Sequence, residues 1–245
     1  MILYRLFIVL IVVLSLLSCS KDNNEQQIDK KGSGKILVLF DNVVKGESLI
    51  RNTYCYVNMA GNTYEISEVK YFISDLVFYR KDGYIKNIDG WGKIHYVDID
   101  YPSTLEWNVY DNIPLGEYDS VAFIFGIRDQ ENISFMYVNP PEVNMFWPEV
   151  LGGGYHYLMI NGKWLDNNNQ SKIYNFHIGR GQLYKSNVIN VDSIYGFVDN
   201  SFRVVFKNIN LSIKEGYTTK LKITMDINSW FEGPYIYDHN VWGGD

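Results

Sequence analysis

Cysteine is nearly absent from this 245-residue chain, which has only Cys19 and Cys55. Two thiols make no disulfide framework, so a folded core must come from apolar packing. Proline is scarce, at 6 residues, which excludes a proline-rich stalk. Basic residues are outnumbered, 22 Lys and Arg against 28 Asp and Glu. The net charge of -6, with no basic block, leaves no phosphate footprint, so nucleic acid is not an expected partner. The common chemical signatures are also missing. There is no His-Glu-x-x-His, no Cys-x-x-Cys, no EF-hand loop and no Gly-x-Ser-x-Gly. Gly152-Gly153-Gly154 lacks the lysine and helix of a phosphate loop. Acidic residues are abundant but give a glycosidase no positive support, and no nucleophile is paired with a base. The chain is therefore expected not to be an enzyme.

What is present is aromatic. Phe, Trp and Tyr make up 16% of the chain, and 20 residues are tyrosine. Such residues favour pleated, half-buried surfaces over helices. With 47% hydrophobic and 20% charged residues the chain is a globular protein and not a disordered polymer.

The N-terminus reads as an export signal. Arg5 precedes an apolar run from Leu6 to Leu17 that only Ser15 interrupts. That run is shorter than the roughly 20 residues a bilayer span needs, so a cleaved signal over residues 1–18 is expected. Leu16-Leu17-Ser18-Cys19 resembles the lipobox of bacterial lipoproteins, which implies a lipid on Cys19 and anchorage to the bilayer. The polar stretch that follows is expected to be a flexible tether over residues 19–34, ahead of one domain over residues 35–245. With Cys19 lipidated, Cys55 in Tyr54-Cys55-Tyr56-Val57 has no intrachain partner and is expected to be a small buried residue.

Short apolar or alternating runs recur along the domain: Lys35–Phe40, Glu65–Tyr79, Ile94–Ile99, Thr104–Tyr110 and Tyr118–Ile127. They continue after a gap with Tyr155–Ile160, Lys172–Ile178, Val188–Val191, Phe202–Ile213 and Leu221–Ile227. Glu65–Tyr79 reads as two strands or one strand bent at Ser74-Asp75. Lys81-Asp82-Gly83, Asp166 to Gln170 and Lys214-Glu215-Gly216 are turns. No amphipathic helix and no repeat is evident. The fold class is therefore all-β, a single-domain antiparallel β-sandwich. The gap, Ser134 to Gly154, carries Pro140-Pro141, Pro148 and three glycines around Met145-Phe146-Trp147. A long irregular loop of that composition is expected to be functional.

Four histidines exist: His95, His156, His177 and His239. Imidazole is a good copper or zinc ligand, and ligands from distant strands can converge in a sandwich. A single histidine on a strand is more often a hydrogen-bonded structural residue. His156 would face away from Tyr155 and Tyr157 on a regular strand, which makes it a spare ligand at best. His239, in the Gly/Tyr/Trp-rich tail, is expected at the surface.

The order of the motifs carries more than any one of them. Tyr71-Phe72-Ile73-Ser74-Asp75-Leu76 is followed by His95-Tyr96-Val97-Asp98, then by Ile113-Pro114-Leu115-Gly116 leading into Phe123 to Ile127. Met145-Phe146-Trp147, Gly154-Tyr155, Asn161-Gly162 and Phe176-His177-Ile178-Gly179 complete the series. This series, over about Lys35 to Ile227, resembles the MbnP-like copper-binding family of exported proteins and lipoproteins. The resemblance implies one copper ion, Cu(I) favoured, held by two histidines and a tryptophan oxidised to kynurenine. By motif position these would be His95, His177 and Trp147, and the oxidation would require a tryptophan-oxidising partner enzyme. Pro148 after Trp147 departs from the family pattern. The expected function is a copper-binding lipoprotein of the bacterial cell envelope, at the periplasmic or outer face of the outer membrane, for copper acquisition, storage or delivery. The competing expectation is a lipoprotein without metal that contacts proteins or glycans through exposed aromatics.

Overall fold

Burial alternates along the chain from Ser33 to Asn42, and the first strand begins at Ser33, two residues before the expected boundary. In the computed structural model residues 32–185 and 189–243 are described. The signal peptide, Cys19 and the tether as far as residue 31 lie outside the described residues.

The first half contributes β1 (Ser33–Val44), β2 (Glu47–Ser48), β3 (Tyr56–Val57), β4 (Thr63–Arg80), β5 (Ile85–Asn87), β6 (Ile94–Asp98), β7 (Glu106–Pro114) and β8 (Gly116–Phe125). The second contributes β9 (Leu158–Leu165), β10 (Ser171–Ile178), β11 (Gly181–Tyr184), β12 (Ile194–Val198), β13 (Phe202–Ile213) and β14 (Thr218–Asp226). A single helical turn, α1 (His239–Trp242), closes the described chain. The expected all-β class holds. The segment around Val191 is a 3-10 turn, Val191–Ser193, and the small hairpin of β11 and β12 flanks it.

Two sheets pack face to face. In the smaller, β1 lies between β14 on one edge and β7 with β2 on the other. The β1–β14 pair is parallel, from Lys35↔Thr218 to Val43↔Asp226, unlike the antiparallel expectation. It needs no helical crossover, because most of the domain lies between these two strands. In the larger sheet β4 is the hub. Along one edge it pairs with β3, β6 and β5. Along the other it pairs with β9 and then β8. β10 extends the sheet beyond β9, and β13 extends it beyond β8. β4 is one bent strand: Asp75 has φ 50°, and the β8 register shifts between Ser74 and Val77. A bulge of this kind turns the strand locally, and here it falls within the stretch that pairs with β8.

At Tyr71–Ile73 both faces of β4 are apolar. Tyr71 and Ile73 enter the core between the sheets with Phe40, Val97 and Trp107. Phe72, between them in sequence, points outward into a second cluster with Tyr96, Ile127, Met145, Tyr155 and Tyr157. The long loop is the lid of that second cluster. It is irregular except for 3-10 turns at Glu142–Met145 and Glu149–Leu151. Asn132 fastens its start, donating from Nδ2 to the Tyr155 carbonyl at 3.2 Å and accepting from Tyr155 N at 2.8 Å.

Cys55 is exposed, against expectation. Only Tyr56 and Val57 of its strand-like run pair with β4, so the thiol precedes the ladder.

Candidate metal centre

The lid returns to the sheet through Gly152, Gly153 and Gly154, at φ 116°, 67° and 82°. These left-handed conformations suit glycine, and a Cβ on Gly154 would lie 2.6 Å from the Asn132 amide. The chain then folds back on itself. Trp147 N donates to the Gly154 carbonyl at 2.8 Å, Phe146 bridges Tyr155, and His156 N donates to the Met145 carbonyl at 2.6 Å. This short ladder sets Trp147 beside His156, with ring centroids 4.6 Å apart and planes at 87°.

His177 arrives from the other side. On β10, Phe176 packs against the inter-sheet core, and His177 faces outward. Its ring lies 4.8 Å from that of His156, again edge to face at 87°. Gly179, just past the strand end, leaves room for the indole: a Cβ there would meet the Trp147 ring at 2.7 Å.

Hydrogen bonds fix both tautomers. A carbonyl only accepts, so Nδ1 of His156, 2.9 Å from the Met145 oxygen, must carry the proton. Its Nε2 is then the lone-pair nitrogen. Nε2 of His177 lies 2.7 Å from Asn161 Oδ1. Asn161 Nδ2 donates to Glu68 Oε2 at 2.7 Å, which orients the amide, so His177 donates from Nε2 and keeps its lone pair on Nδ1. Lys70 closes the relay on Glu68 at 3.2 Å. Burial weighs against the Glu68 carboxylate, yet hydrogen bonds from Asn161 and Lys70 outweigh it and hold the group below its usual range. Burial pushes His177 down to about 4, with His156 adding to the effect, and burial also lowers His156. Both imidazoles are neutral at neutral pH. Each has one nitrogen anchored to an acceptor, the second-sphere arrangement common to metal-binding histidines.

Of the three metal residues expected from sequence, the structure brings together His177 and Trp147 but not His95. On β6, His95 stands opposite Ile73 and faces the inter-sheet core. It lies between Phe40 at 5.4 Å and Trp107 at 5.1 Å, with Nε2 2.8 Å from the Thr104 carbonyl. β6 and β10 lie three strand spacings apart across the sheet, roughly 14 Å, and the two side chains point to opposite faces. They cannot share an ion. His156, expected as a spare, occupies the place beside His177. The signal missed was the glycine triplet: β9 starts only at Leu158, so strict alternation does not govern residue 156. Trp147 donates its indole N–H to the Leu151 carbonyl at 2.8 Å. His239, expected at the surface, is fully buried elsewhere in the molecule. No group of three or more His, Cys, Asp or Glu side chains is placed to hold a metal among the described residues.

Comparison with known proteins agrees with this architecture. No curated protein matches the chain in sequence. Among solved structures it is similar to MbnP from Methylosinus trichosporium, at 15% identity and a TM-score of 0.51, over 84% of this chain and 80% of that one. Identity that low carries the fold alone. The model of the MbnP family matches residues 33–242, nearly the whole described domain. The chain therefore belongs to the MbnP family.

Proposed function

We propose that this protein binds a single copper ion, as Cu(I), between His156 and His177, and serves copper acquisition, storage or delivery rather than catalysis. The observation that carries this reading is the pair of neutral imidazoles meeting at 4.8 Å, each anchored through one nitrogen and each with a lone pair on the other. Membership of the MbnP family, whose resemblance pointed to copper, supports the identity of the ion. The donor chemistry fits it. Imidazole suits copper, and Cu(I) accepts few ligands. A structural zinc site asks for four donors and calcium for six or more oxygens, and neither set is gathered here among the described residues.

In this reading His156 and His177 hold the ion, and Asn161 and Glu68 keep His177 in its binding tautomer. Trp147 shields the site from the lid side. Oxidation of Trp147 to kynurenine by a partner enzyme would add an aryl amine beside His156. Lipid on Cys19 would place the domain at the outer membrane of a bacterial cell envelope, where exported copper is met.

Copper titration under reducing conditions, against a chromophoric Cu(I) chelator, tests the site. His156→Ala and His177→Ala should each abolish tight binding while circular dichroism stays unchanged, and His95→Ala should leave the affinity intact. Wild-type affinity in the His156→Ala/His177→Ala double variant would overturn the assignment.

A further inference from the structure

We propose that Met159 donates its thioether to the same ion, so that this chain has an imidazole–thioether site that works with Trp147 unoxidised. The inference rests on the reading of His156 and His177 as the metal pair. The strand register supplies the argument. Met159 on β9 stands directly opposite His177 on β10, and on its other edge it stands opposite Lys70 on β4. His177, Met159 and Lys70 therefore form one row across the outer face of the larger sheet. Directly opposed residues of antiparallel strands have Cβ atoms about 5 Å apart, within reach of a side chain with three rotatable bonds.

The other neighbours are already engaged. Asn161 and Glu68 belong to the adjoining row and are bonded to each other and to His177 or Lys70. The Trp147 indole nitrogen has no lone pair to offer, and its N–H is donated to Leu151. Met145 is fully buried in the second aromatic cluster, and its carbonyl is held by His156. Met159 is only half-buried, packed at the margin of that cluster. An outward strand position next to Glu68, Lys70 and Asn161 would ordinarily be polar. Sulfur there makes the donor set soft, which selects Cu(I) over Zn(II).

The test uses the mature chain in a Cys19→Ser/Cys55→Ser background, so that no cysteine can supply sulfur, with intact mass confirming an unmodified Trp147. Cu(I) X-ray absorption should show a sulfur scatterer in this protein and none after Met159→Leu, a swap that keeps the side-chain volume. Cu(I) affinity should fall at least about tenfold in Met159→Leu, as expected for loss of a metal ligand, while Zn(II) affinity and the melting temperature stay unchanged. A nitrogen-only copper site, with Met159→Leu binding as tightly as its parent, would overturn the thioether proposal and leave the two-histidine reading standing. Failure of the parent protein to bind Cu(I) would remove both.

Discussion

The outer face of the larger sheet and the C-terminal end of the domain both hold imidazole under aromatic cover, and they treat it in opposite ways. At the outer face each histidine is anchored by one nitrogen, and the two rings meet edge to face. At the C-terminal end His239 is 0% exposed, and neither ring nitrogen has a hydrogen-bond partner. Tyr174 lies 4.4 Å away, Phe231 5.0 Å, Tyr237 5.1 Å, Tyr64 5.6 Å and Trp164 5.8 Å. The backbone at this end is clamped by polar bonds. His239 N donates to Asn62 Oδ1 at 2.8 Å, and the Asp238 carboxylate accepts from Asn62 and Asn240. The imidazole itself is used as a flat ring. Burial alone therefore does not separate these histidines, and neither does one tied nitrogen, which His95 has as well; His156 and His177 differ in that their two rings meet.

The largest expected effect is the loss of stability in acid. Burial pushes His239 down to about 4, and His95 likewise to about 4, from the ordinary 6.5. A base whose folded value is depressed takes up its proton more readily when unfolded, so stability rises with pH. The full contribution is present above about 6.5 and is lost as pH falls toward 4. Each histidine accounts for about 3 kcal/mol across that window, at roughly 1.4 kcal/mol per pH unit. Urea midpoints measured from pH 7 to pH 4 should fall steeply, and His95→Leu with His239→Phe should remove the share of these two, leaving the fall that His177 and His156 contribute. A profile as steep in the double variant as in the parent would assign the acid sensitivity to other groups.

A second measurement sharpens the contrast at neutral pH. His239→Phe keeps a planar ring in the aromatic box and removes two polar atoms that have no partner. It should stabilise the domain by about 1–2 kcal/mol, since an unsatisfied buried polar group costs about 1–3 kcal/mol and some overpacking offsets the gain. For a domain of this size that is a melting temperature raised by roughly 2–8 °C. A lower melting temperature would mean that the box depends on the imidazole itself.

The strands were legible because alternation and turn residues mark them directly. Lys81-Asp82-Gly83 ends β4, and Phe202–Ile213 matches β13 residue for residue. The site was legible only in part. His177 and Trp147 stand in motifs that the structure brings together, but His95 could not be excluded by pattern. Tyr71, Phe72 and Ile73 are all buried, so this stretch of β4 is apolar on both faces and alternation cannot say which face the histidine paired with it takes. His156 was hidden for a different reason, since three left-handed glycines reset the chain just before it. His239 was misplaced because its cover comes from Tyr64, Trp164 and Tyr174, far away in sequence. Short-range pattern carries no record of such contacts.

The smallest expected effect concerns the relay behind His177. Glu68 touches Asn161 and Lys70, and Asn161 alone touches the imidazole. Glu68→Gln keeps an acceptor for Asn161 Nδ2, so the His177 tautomer should survive, and only the negative charge that strengthens the imidazole as a donor is lost. Changes in the second sphere of metal sites weaken binding by about 10–100-fold when orientation is lost. With orientation kept, Cu(I) affinity should fall by less than about tenfold. Nitrogen NMR of the His177 ring should still report a proton on Nε2. A fall of a hundredfold or more with the tautomer unchanged would mean that the Glu68 carboxylate meets the ion directly, and the line between anchoring residues and ligands drawn here would have to move.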